Sequence, residues 1–154
     1  MAGKADIMHH YDDDFNFYQS ILGQSLAYSC GDWLLANDLD QAQSSKLAKL
    51  LAMAKVGEDT RSIIDLGCGW GSLLKYTQQH CPQVESLMGI TISPGQADYC
   101  RKTLIAGRTT ILEQDIFDYL SVPHEEFLFD AALSIGAFEH FATPKDFQNR
   151  THIA

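Results

Sequence analysis

Apolar and polar positions change their period several times along the chain, and each change marks an element. Phe15, Tyr18, Ile21 and Leu22 recur at helical spacing and predict a first helix that Gly23 stops. The surrounding stretch, 9–37, is aromatic-rich, with Tyr11, Phe15, Phe17, Tyr18, Tyr28 and Trp33, as expected of a helical cap that packs its rings on the main body. Asp38 and Gln41 match a capping box. Leu39, Ala42, Leu47, Leu50, Leu51 and Ala54 form an apolar stripe, and Gly57 is the expected stop. The period then shortens: Ser62–Leu66 reads as a buried strand, followed by a turn containing Gly67, Gly69 and Gly71. Ser72–His80 reads as a helix broken at Cys81-Pro82.

A second strand is expected at Ser86–Thr91. Ser93, Pro94 and Gln96 then supply an N-cap, a first-turn proline and a capping-box partner for a helix running to Ala106, with Gly107 as its stop. Thr109–Glu113 is the third strand, 117–120 a short helical stretch, and 127–135 a fourth strand, apolar apart from Asp130 and Ser134. The segment 136–140 follows as a loop or helix start. Strand, glycine turn, helix, strand, helix, strand, strand is an α/β pattern with a parallel sheet. Ligands bind such sheets beyond the carboxyl ends of the strands, and Gly67 to Gly71, Thr91, Asp115 and the run from Ser134 to Glu139 all fall there.

The turn reads Asp65-Leu66-Gly67-Cys68-Gly69-Trp70-Gly71, which is GxGxG and not the GxGxxG of a dinucleotide site. Thr91 ends the second strand where a dinucleotide site has an acid, and no lysine follows the glycines as in a phosphate-binding loop. Three glycines also suffice for a tight strand-to-helix turn with no ligand, and Asp115 equally suits an N-cap for the turn after it.

Composition narrows the function classes. The 154 residues are one domain's length, 45% hydrophobic and 20% charged, with no apolar run long enough to span a bilayer. A formal charge of −9 argues against a nucleic-acid partner. Cys30, Cys68, Cys81 and Cys100 form no CxxC pair, so no metal site or disulfide framework is indicated, and cytoplasmic localisation with free thiols is expected.

With an aspartate before it, the glycine turn resembles the S-adenosylmethionine loop of class I methyltransferases, which implies a partial Rossmann-like fold. Four separated segments sharpen this. They are His9-His10-Tyr11-Asp12 with Phe17-Tyr18, Leu22-Gly23 and Tyr28-Ser29-Cys30; the glycine turn itself; Gly89-Ile90-Thr91-Ile92-Ser93 with Gln96; and Ser134-Ile135-Gly136-Ala137-Phe138-Glu139-His140-Phe141. Together they resemble the cyclopropane-fatty-acid synthases and the mycolic acid cyclopropane synthases; plant coclaurine-type N-methyltransferases share much of the pattern.

The resemblance implies an enzyme adding a methylene or methyl group to an unsaturated acyl chain, with S-adenosylmethionine as cofactor and bicarbonate as a possible base. It implies that Tyr28 and Ser29 close over the cofactor, Gly67 and Gly69 carry its methionine portion, and Asp65 bonds its ammonium end. Thr91 and Gln96 would bind the ribose, Asp115 the adenine amino group, and Ser134 belongs to the same site. Cys30 and Glu139 would hold the bicarbonate. Tyr28, Trp33 and Phe138 are candidates for an aromatic wall beside the reacting alkene. The expected domains are a cap, 1–37, and a cofactor-binding domain, 38–154.

Family members continue past the fourth strand with further strands, a histidine and a tyrosine, so the resemblance implies truncation here, and His152 is not given that histidine's role. The fourth strand is then expected to be an apolar edge covered by another copy, a complementary chain or a refolded C-terminal segment. Alternatives to the acyl-chain enzyme are a small-molecule N-methyltransferase and a cofactor-binding half without turnover of its own.

Overall fold

The structure, a computed structural model, describes residues 15–122 and 129–137. Among the described residues, four parallel strands form one sheet: β1 (Ser62–Leu66), β2 (Ser86–Thr91), β3 (Thr109–Glu113) and β4 (Ala131–Leu133), in the order β3-β2-β1-β4. The chain runs outward from β1 through β2 to β3, then returns to place β4 on β1's other side, where Asp65 stands opposite Gly89 on one neighbour and Leu133 on the other. That reversal of direction at β1 opens a crevice at the strands' carboxyl ends.

The helices are α1 (Phe15–Leu22), α2 (Leu39–Met53), α3 (Ser72–His80), α4 (Pro94–Thr103) and α5 (Ile116–Leu120). Adjacent β1 residues feed opposite faces of the sheet. Ile63 packs with Leu47, Leu51, Leu73, Leu74, Leu87 and Cys100, while Ile64 packs with Ile90, Ile116 and Tyr119. A third cluster of Tyr18, Leu26 and Trp70, flanked by Phe15 and Tyr99, ties the N-terminal segment to the glycine turn.

Caps are where they were expected, and two helix ends are not. Asp38 accepts from the Gln41 amide at 2.8 Å, while the Gln41 side chain reaches past the cap residue to the Asn37 amide at 3.1 Å. Helix α2 ends at Met53 rather than running to a stop at Gly57. Lys55 takes the left-handed conformation (φ 57°) and Val56 donates back to the Leu51 carbonyl, while Gly57 exchanges hydrogen bonds with Thr60. Helix α4 ends at Thr103, not Ala106, because Leu104 turns extended and buries its side chain. Of the fourth strand expected over 127–135, Ala131–Leu133 is strand, and 127 and 128 lie outside the described residues.

Arg108 joins the amino-terminal ends of β2 and β3 to α3. Its guanidinium donates to the carbonyls of Val84 (2.6 Å), Cys81 (2.6 Å) and Gln78 (3.2 Å). Removing it strands carbonyls at a helix C-terminus, where a cation is favoured. Arg108→Ala is expected to cost about 2–3 kcal/mol in urea unfolding, and Arg108→Lys to recover less than half, since an ammonium cannot reproduce the fork.

Candidate functional site

The glycine turn is pinned from beneath. Gly67 and Cys68 both donate their amides to the Ile90 carbonyl, at 3.0 and 2.8 Å, which locks the end of β1 to the end of β2. Gly67 has φ 89°, and a Cβ there would fall 2.4 Å from the Ala137 Cβ, so no larger residue fits. Gly71, the N-cap of α3 at φ 78°, is as constrained: its Cβ would lie 2.9 Å from the Cys100 sulfur.

Above the turn lies a cleft of about 190 Å³. Of the residues singled out from sequence, Tyr28, Gly67, Gly69, Thr91, Gln96 and Asp115 line it. Thr91 and Gln96 are both buried, and the Thr91 hydroxyl donates to Gln96 Oε1 at 2.8 Å. The same hydroxyl oxygen accepts the Ser93 amide at 3.3 Å, while Ser93 Oγ caps α4 by accepting the Gln96 amide at 3.2 Å. Capping therefore uses the Gln96 backbone and leaves its side chain to Thr91. A Cβ on Gly69 would sit 3.9 Å from Gln96 Nε2, so this donor lies beside the turn. Asp115 caps α5 by accepting the Phe117 amide at 2.8 Å while facing the cleft.

Tyr28 is 48% exposed at the cleft margin, edge-on to Tyr18 at 5.9 Å. Helix α2 holds this margin in place: Gln43 Nε2 donates to the carbonyls of Ala27 and Ser29, and Lys46 Nζ donates to Ser29 Oγ at 2.7 Å. Burial lowers the Lys46 pKa. Ser29 is not among the cleft's lining residues, nor is Ser134, whose hydroxyl donates to the Leu66 carbonyl at 2.8 Å.

Asp65 also lies outside the lining. It is 2% exposed, Oδ1 has no hydrogen-bond partner, and burial raises its pKa from 3.8 to about 7. Cys30 and Trp33 sit in a separate groove with Lys46, Lys49 and Met53, where Trp33 is 55% exposed. Phe138 and Glu139 lie outside the described residues. Among the described residues, no cluster of three His, Cys, Asp or Glu side chains is arranged to hold a metal ion, and no helix is long and apolar enough to cross a membrane.

Trp70 is the site residue that motif reading left unassigned. It lines the cleft, is 7% exposed, and is ringed by Phe15 (5.4 Å), Tyr99 (5.5 Å) and Tyr18 (5.8 Å). Its indole therefore links the N-terminal helix to the glycine turn. A tryptophan inside a turn of glycines was the available signal, since nothing in turn formation calls for it.

Residues 2–151 match the family model of mycolic acid cyclopropane synthetase. A probable fatty acid methyltransferase of Pseudomonas putida is 35% identical over 136 residues, covering 87% of this chain and 34% of that protein. The cyclopropane-fatty-acyl-phospholipid synthase of Escherichia coli strain K12 is 32% identical over 138 residues, covering 90% of this chain and 34% of that one. The crystal structure of the mycolic acid cyclopropane synthase CmaA1 complexed with SAH and CTAB superposes with a TM-score of 0.77 at 25% identity, covering 97% of this chain and 52% of that one. The chain thus spans about a third of the length of these two curated relatives and about half of the solved one.

Proposed function

The chain belongs to the mycolic acid cyclopropane synthetase family, and we propose that it provides the S-adenosylmethionine site of an enzyme that adds a methylene or methyl group to an unsaturated acyl chain. The observation that carries this reading is the cleft at the carboxyl ends of the strands, lined by the glycine turn and, beside it, the Thr91–Gln96 pair. The donor set suits a nucleoside bearing an amino acid. Gln96 Nε2 offers amide hydrogens to ribose oxygens, Asp115 offers its second oxygen to an adenine amino group, and the glycines admit an extended aliphatic chain close to the backbone. The orphaned Oδ1 of Asp65 beneath the turn suits an ammonium group, reached directly or through water.

When bound, the cofactor supplies an activated methyl group on a sulfonium. The protein's part is to hold that group and keep water away. Leu26, Ile116, Phe117 and Ile135 give the cleft apolar walls, and Tyr28 stands at its margin, held by α2 through the neighbouring carbonyls. In this reading Ser29 backs Tyr28 in covering the cofactor, Ser134 supports the end of β1 through the Leu66 carbonyl, and Glu139 holds bicarbonate as the base that removes the final proton. Among the described residues β4 is an edge strand, and in this reading its outer edge is covered by another copy or a complementary chain.

Calorimetry with S-adenosylhomocysteine, followed by incubation with S-adenosylmethionine, bicarbonate and vesicles of unsaturated phospholipid, tests this reading. Binding at micromolar concentration with a one-carbon mass gain in the acyl chains is the expected result for the site supplied with the rest of the fold. Binding without transfer assigns the isolated chain to the cofactor half. A folded chain that does not bind S-adenosylhomocysteine overturns the assignment.

A further inference from the structure

Two buried thiols converge on one carbonyl under the cleft. Cys100, from the middle of α4 and fully buried, directs its sulfur to the Gly69 oxygen at 3.5 Å; Cys68, 5% exposed, approaches the same oxygen at 3.8 Å. The same sulfurs set the clearances of the neighbouring glycines. A Cβ on Gly71 would be 2.9 Å from the Cys100 sulfur, and one on Gly89 would be 2.9 Å from that of Cys68. The pair therefore fills the space between the glycine turn, β2 and α4. Hydrogen bonding to Cys100 and burial both push the Cys68 thiol up, so that it keeps its proton. The pair acts as a donor floor and not as a nucleophile.

The peptide joining Gly69 to Trp70 is trans and planar, so its carbonyl and its N–H point in opposite directions. With the Gly69 carbonyl drawn down to the thiols, the Trp70 amide is turned up towards the cleft that Trp70 lines. We propose that Cys100, assisted by Cys68, is a positioning residue that orients the Gly69–Trp70 peptide so that its N–H meets the carboxylate of the cofactor's amino acid end. A thiol-to-carbonyl bond is weak. Its worth here lies in selecting one of two orientations for a peptide flanked by glycine, which has few steric preferences of its own.

This inference rests on the cofactor reading above, and its test separates the two by using a pair of ligands. S-adenosylhomocysteine carries the amino acid end; 5′-methylthioadenosine has the nucleoside and lacks that end. Titrated calorimetrically, Cys100→Ala is expected to weaken S-adenosylhomocysteine about tenfold while changing 5′-methylthioadenosine less than about twofold. Cys68→Ala is expected to show the same split at smaller size. Cys100→Ser, which keeps a donor, is expected to recover most of the loss. Val84→Ala, a fully buried substitution just ahead of β2 and at the far end of the sheet from the cleft, controls for lost stability and should show no split. Equal weakening of both ligands by Cys100→Ala, no weakening of either, or no recovery with serine overturns the positioning role. A wild-type chain that binds neither ligand overturns the cofactor reading and this inference with it.

Discussion

Replacing Gln96 with leucine is expected to weaken S-adenosylhomocysteine binding about 100-fold, with the chain still folded. The size follows from what the side chain does twice over. Its Oε1 accepts the Thr91 hydroxyl at 2.8 Å, and that bond fixes the amide with Nε2 beside the glycine turn. Leucine is one atom shorter, apolar, and removes both ends of the relay, so the ribose loses its donor and a buried hydroxyl loses its acceptor. Each unmet buried partner costs about 1–3 kcal/mol, and two at about 1.4 kcal/mol each amount to about 100-fold. Glutamate separates relay from shape. One carboxylate oxygen can keep the Thr91 hydroxyl and the other can accept from a ribose hydroxyl, so Gln96→Glu is expected to bind within about tenfold of wild type. Thr91→Val removes the hydroxyl while leaving Nε2 in place, and should fall between. If leucine binds as well as glutamine in calorimetry, the ribose role of this pair is wrong.

The same pair shows what can and cannot be read along a chain. Ser93, Pro94 and Gln96 announced a helix start through residue type and spacing alone, because a cap is a local bond between near neighbours, and the Ser93 side chain makes it. The Gln96 side chain takes no part in that cap, because its Oε1 is held by Thr91, which lies across the turn from strand to helix. The four strands and the glycine turn were legible for the same local reason. The ends of α2 and α4 were not. Gly57 is the better left-handed residue, but packing of Leu51 and Val56 closes the helix earlier and assigns that conformation to Lys55. Leu104 leaves α4 early because a buried site is open to it beside Gly71 and Cys100.

Side chains whose roles depend on tertiary neighbours were the ones missed. Trp70 looks like an ordinary member of a motif until α1 and Tyr99 are packed around it. Cys100 is an unremarkable apolar position on a helix until its sulfur is found under Gly69. Cys30 and Trp33 carry the opposite lesson. The motif puts Cys30 with Tyr28, and its aromatic ring makes Trp33 a wall candidate, yet both line a groove against α2 and not the cleft that Tyr28 lines.

Asp65→Asn is expected to stabilise the unliganded chain, and increasingly so as pH rises. Aspartate in the middle of a buried strand has no helical or capping reason to be there, and its Oδ1 has no partner. Burial raises its pKa from 3.8 to about 7. The sign follows from which state holds the proton more tightly. The folded chain does, so this group's contribution is fully present below about 3.8 and is lost as pH climbs through about 7, above which the fold carries a buried, unpaired carboxylate. Across that window the cost reaches roughly 4 kcal/mol, of which roughly 2–3 kcal/mol accrues between pH 5 and pH 8. Asparagine does not titrate. The stability difference between variant and wild type, measured by urea unfolding, should therefore grow by roughly that amount over the same interval. A difference that stays flat with pH would mean that the carboxyl is solvated or paired in solution. Ligand reverses the comparison. If the cofactor's ammonium reaches the carboxylate, binding supplies the missing partner and draws the pKa back down, so S-adenosylhomocysteine at pH 8 should stabilise wild type more than the asparagine variant. The residue that weakens the empty fold would then be the one that most strengthens the filled one.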